Sequence, residues 1–228
     1  MPNKPTKRDR REASKQARLE AELKAKKARR KRFMLGWTGA AALIGLIVAI
    51  VVFSGSSKKV SFTALNKDAA AANCSKLQTF PDQGRSHIQS PATFPYNSSP
   101  PTSGSHYSIA GQAPAPTGVH LQPIPNEDQV HNLEHGHIGI QYANIPDSVR
   151  TALEQFTTDH DTYTFMAPYQ LPSGVNLALT RWDQMITCAS PTDSAAILKL
   201  VQTFYNDFHG DGPEGALPGT PITTSSGQ

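Results

Sequence analysis

The string Val130-His131-Asn132-Leu133-Glu134-His135-Gly136-His137 places three imidazoles and a carboxylate within a few residues of one another. Imidazole nitrogen and carboxylate oxygen together suit Zn²⁺ or Cu²⁺. With two histidines from further upstream, the candidate metal ligands are His87, His106, His131, Glu134, His135 and His137. Two local geometries compete. His131-x-x-Glu134-His135 spells the H-x-x-E-H order of some zinc peptidases, which works only on a continuous helix where histidines four apart share a face. Gly136 and a β pattern from Ile138 leave room for one helical turn. On a strand, His135 and His137 would point the same way and form a His-x-His pair. The bland alternative is a buried hydrogen-bond network in which these side chains pin a long Pro-rich loop to a sheet, replacing the secondary structure that the loop lacks. A metal-dependent hydrolase is the remote reading. A serine hydrolase is weaker still, because Ser103 and Ser105 flank His106 without a G-x-S-x-G elbow. No catalytic residue and no organic cofactor is assigned.

The elements that must position these residues can be read along the chain. His137 to Tyr142 alternates and predicts a strand. Pro146 opens a helix over Asp147 to Thr158, with Val149, Leu153 and Phe156 at helical spacing. Thr162 to Ala167 and Val175 to Trp182 read as strands, and Thr192 as the N-cap of a helix over Asp193 to Phe208. The first two strands are expected parallel through a crossover and the next two as a hairpin. Pro81 to Pro125 has no periodicity but holds Phe94, Tyr96, Tyr107 and histidines, so it reads as ordered irregular chain rather than disorder.

Pro100-Pro101-Thr102-Ser103-Gly104-Ser105-His106-Tyr107 and Val130 to Gly136 together resemble the bacterial family known as domain of unknown function 3105. Its further marks correspond to Gly118-Val119, an apolar strand over Leu177 to Trp182, and Pro213-Glu214, so the resemblance covers roughly residues 74–218. Where the family often carries a second Gly after the His-Gly step, this chain has His137. The resemblance implies the domain's boundaries and a membrane anchor, and it implies no reaction.

Charge is divided unevenly. Residues 1–32 hold 14 Lys/Arg against 4 Asp/Glu, a net +10, and the remainder nets −6. Phe33 to Phe53 is an uncharged run of 21 residues. That length suits a membrane span, and the basic flank would keep the N-terminus cytoplasmic. It exceeds the apolar core of a cleaved signal peptide, so the run reads as a signal anchor. Basic residues beside a span attract anionic lipid, which makes membrane lipid an expected partner. Nucleic acid is not expected, because the tail lacks stacking aromatics. Cys74 and Cys188 are the only cysteines, and in an exported domain they are expected to pair.

The expected class is therefore α+β: one transmembrane helix followed by a small extracytoplasmic α/β sandwich with a long Pro-rich irregular segment. The expected divisions are a basic tail (1–32), a span (33–53), a linker (54–73), the domain (74–218) and a flexible end (219–228). The leading expectation for function is an anchored accessory protein that binds a partner or a complex at the envelope. The alternative is an extracytoplasmic Cu or Zn protein.

Overall fold

The computed structural model describes residues 62–222 and, within the N-terminal region, Lys24. The chain divides into two units, Met1–Lys58 and Lys59–Gln228, and all but one of the described residues belong to the second.

That second unit is built on a six-stranded mixed sheet. Its strands are β1 (Gln78–Thr79), β4 (Gly118–Val119), β5 (Ile138–Tyr142), β6 (Thr164–Pro168), β7 (Leu177–Arg181) and β8 (Gln184–Cys188), in the order β1-β8-β7-β5-β6-β4. Strands β4, β6 and β5 run parallel, while β5-β7, β7-β8 and β8-β1 are antiparallel. A separate parallel pair joins β2 (His87–Ile88) to β3 (His106–Tyr107), with His87 opposite His106. The helices are α1 (Phe62–Ala71), α2 (Asn126–Glu134), α3 (Asp147–Asp159) and α4 (Ser194–Phe208).

The period of two along a strand sends alternate side chains to opposite faces, and both faces here are covered. Ile138 and Ile140 of β5, Met166 of β6, Leu177 and Leu179 of β7 and Ile186 of β8 pack with Leu65, Leu153, Leu200 and Phe204 from α1, α3 and α4. The intervening Phe165 and Ala167 pack on the other face with Val130 and Leu133 of α2, Trp182, and Ala115 and Ile124 of the irregular segment. Helix α2 is thus buried from Glu127 to Glu134 although most of its residues are polar. Gln129 donates to the Ile124 carbonyl and accepts from Gln141, which also donates to Thr180, so the polar face of α2 is hydrogen-bonded to the sheet.

Several expectations are corrected. Among the described residues no helix is long and apolar enough to cross a membrane. The longest, α4, has 15 residues and carries Lys199 and Asp207. The expected class, a transmembrane helix followed by a small sandwich, gives way to a mixed α+β domain with helices on both faces of one six-stranded sheet. The run Phe33 to Phe53 lies outside the described residues. β6 and β7 do not form the expected hairpin. β5 separates them, and β7 instead turns through Trp182-Asp183 into β8, with Asp183 in the left-handed region at φ 59°. The cap of α4 is Asp193 rather than Thr192; its carboxylate accepts from the backbone N–H of Ala195 and Ala196.

Cys74 and Cys188 form a disulfide across a separation of 114 residues. Disulfides persist in oxidising compartments, which supports an extracytoplasmic place for this domain.

Candidate metal centre

Three chain segments deliver the site. The pair β2–β3 sets His87 beside His106, their ring centroids 5.0 Å apart. Helix α2, docked by Val130 and Leu133, brings His131 and Glu134 on adjacent turns. The helix stops there because Gly136, at φ +79°, lies against the backbone of Gly210 and Asp211, where a Cβ would come within 2.8 Å of Gly210 Cα. His135 is its C-cap. One donor atom from each of His87, His106, His131 and Glu134 falls within a 4.8 Å cluster, and the last three residues are buried.

The ring tautomers follow from the partners. A carbonyl oxygen can only accept, so His106 Nδ1–H donates to Gly104 O at 2.9 Å and His131 Nδ1–H donates to Tyr107 O at 2.6 Å. Both rings therefore turn Nε2 into the cluster, with Nδ1–H held by backbone, as the outer-shell bonds of metal-ligating histidines do. His106 Nε2 lies 3.0 Å from Glu134 Oε2, both side chains being 0 % exposed. His106 Nε2 and Glu134 Oε2 thus have only each other, and Glu134 Oε1 is buried without a hydrogen-bond partner. His131 Nε2 is the acceptor for His135 Nε2–H at 3.0 Å. It has one lone pair there, which can serve His135 or an ion but not both.

Electrostatics separate the histidines. Burial holds His131 neutral, with its pKa lowered to about 4. For His106 burial also disfavours the cation, but the Glu134 carboxylate and the Gly104 carbonyl outweigh it and raise the pKa. Burial raises Glu134, and His106 with its neighbours more than reverses this, so the carboxylate is held below its ordinary range. The centre thus presents an ionised carboxylate paired with His106, beside the neutral ring of His131.

His137 lies outside the cluster. Its Nε2–H donates to Leu217 O and its Nδ1 accepts from Asn132 Nδ2, each at 2.8 Å, so neither nitrogen is spare. Asn132 also exchanges two hydrogen bonds with the Ala115 backbone. This is a loop staple of the kind the bland alternative describes, and it is made by Asn132 and His137 together with His131, whose Nδ1–H holds the Tyr107 carbonyl. The expected His-x-His strand pair does not form, because His135 caps a helix and β5 starts only at Ile138. The helical order does form in part: His131 and His135, four apart, share a face.

Glu214 is the site residue that the reading of clustered histidines missed. It joins Glu134 and His135 in a second group of donors within 4.8 Å. Its only signal in the sequence is the Pro213-Glu214 dipeptide, which carries no chemistry until the fold returns it to the end of α2.

The chain matches the family model described as "Protein of unknown function (DUF3105)" over residues 87–219, more than half its length, and it belongs to that family. No curated protein and no solved structure matches it. The matched region holds every residue of the centre.

Proposed function

We propose that this member of the DUF3105 family is an extracytoplasmic metal-binding protein that holds Zn²⁺ or Cu²⁺ on His87, His106, His131 and Glu134. One observation carries the reading. His106 Nε2 and Glu134 Oε2 are buried with only each other at 3.0 Å, and Glu134 Oε1 beside them is buried with no hydrogen-bond partner. Buried polar atoms are nearly always satisfied, and each exception calls for a cause. An ion bound by imidazole and carboxylate would satisfy all of them at once. The exposed His87 would close the centre from the solvent side. Service to an envelope partner takes second place. The large exposed apolar side chains among the described residues are Phe62, Leu121 and Leu217, from three separate segments. The address we attach to this reading is the outer face of the plasma membrane, with the basic residues 24–32 drawn to anionic lipid.

The test is elemental analysis of the purified, untagged full chain at neutral pH, with and without prior exposure to Zn²⁺ and Cu²⁺. Stoichiometric metal is expected in the parent. His106→Ala should lose it, and His87→Ala, at an exposed position, should weaken affinity by about tenfold or more, roughly 1.4 kcal/mol. A parent that takes up neither ion would overturn the proposal.

A further inference from the structure

Glu134 belongs to two donor groups, and the second has an orphan of its own. His135 Nδ1 is buried without a hydrogen-bond partner, while its Nε2 is committed to His131. Glu134 Oε2 faces His106, which leaves Oε1 for the other side. Glu214 completes the group with an exposed carboxylate.

Backbone contacts hold Glu214 in place. Gly210 N–H donates to Gly136 O, Glu214 N–H to Glu134 O and Leu217 N–H to His135 O. Arg85 donates to Pro213 O from the β2 side. The returning loop is thus laid on the end of α2 without using the Glu214 side chain, which stays available to a ligand.

We infer that Glu134 is a bridging carboxylate and that a second divalent cation binds at Glu134, His135 and Glu214. The inference rests on the first site being a metal centre. Two cations in adjoining sites repel each other, and the shared carboxylate lowers that cost by facing both. Donor number sets the order of filling. The first group offers three imidazoles and a carboxylate around buried atoms. The second offers one imidazole and two carboxylates, one of them in solvent, so it fills second and exchanges faster. Once the first ion takes the His131 lone pair, His135 is released from its hydrogen bond and can turn to the second.

The probes are Zn²⁺ and Cu²⁺ added to the metal-free full chain. Calorimetric titration with Zn²⁺ should give two equivalents, the second weaker by about tenfold or more. Glu214→Gln, at an exposed position, should remove the second and leave the first unchanged. With Cu²⁺, the first equivalent should give an isolated paramagnetic signal, and the second should couple to it, with signal per copper lost. That coupling should be absent in Glu214→Gln. Saturation at one equivalent in both proteins would overturn the second site while leaving the first standing. A second equivalent that survives Glu214→Gln, or that never couples, belongs elsewhere and also overturns it. No uptake at all is the distinct failure of the first-site reading.

Discussion

At the scale of single residues, histidines that look alike in the sequence divide by what their second nitrogen touches. His106 and His131 give Nδ1–H to backbone carbonyls and keep Nε2 for the cluster. His137 spends both nitrogens on Asn132 and Leu217. The two roles can be separated by substitution. Asn132→Ala leaves the Ala115 backbone pair and His137 Nδ1 without partners in a buried setting. At about 1–3 kcal/mol for each stranded group, with water recovering part, thermal or denaturant melts should show a loss of about 2–4 kcal/mol. Metal content should not change. Metal lost at an unchanged melting temperature would instead put Asn132 in the centre.

Elements show why the site is where it is. Helix α2 has only two apolar residues, Val130 and Leu133, yet it is buried because Gln129 and Asn132 have buried partners. On the opposite face, α1 docks on α4 through its apolar residues and through Asp68. The Asp68 carboxylate accepts from Thr203 at 2.8 Å and pairs with Lys199 at 2.9 Å. Lys199, and then Thr203, against an opposing burial effect, hold Asp68 below its ordinary value of 3.8. The folded state therefore binds this proton less readily than the unfolded chain does. The stabilisation is full above pH 3.8 and is lost as pH falls through the lower folded value. Asp68→Asn should cost about 1–2 kcal/mol at neutral pH, mostly from the charge-assisted bond to Thr203, because Lys199 is largely exposed and screened. Denaturant midpoints taken across pH should converge for parent and variant in acid. A constant gap down to the lowest pH would show that the charge is not what docks α1.

At the scale of the molecule, the Cys74–Cys188 disulfide ties the end of the segment after α1 to β8, across most of the domain. Closing so long a loop restricts the unfolded chain, and replacing both cysteines by serine should lower stability by about 2–5 kcal/mol. Denatured, unreduced protein should show no free thiol. Two titratable thiols in protein taken from the envelope would contradict the bridge. The proposed metal uptake should survive the substitution at neutral pH, because no segment of the candidate centre is anchored by either cysteine. The His87, His106 and α2 segments are held by β2–β3 pairing and by the second apolar cluster.

Much of the domain was legible from the residues alone. Alternation marked β5 and β7, an apolar stripe at helical spacing marked α3 and α4, and Pro146 and Gly136 punctuated them. These signals are local, since each element buries one face and its pattern records which. The pairing of two lone cysteines, in a domain expected to be exported, needed no geometry either. Helix α2 left no such record, because it is buried on polar side chains whose partners lie far along the chain. β8 was hidden by the tight Trp182-Asp183 turn. The candidate metal centre could be named only as a set of histidines. Which nitrogens are spare depends on carbonyls at Gly104 and Tyr107, and Glu214 reaches Glu134 from eighty residues away. The sequence determined the donor types. Only the tertiary structure decided which donors converge, because convergence depends on contacts between segments that no local pattern encodes.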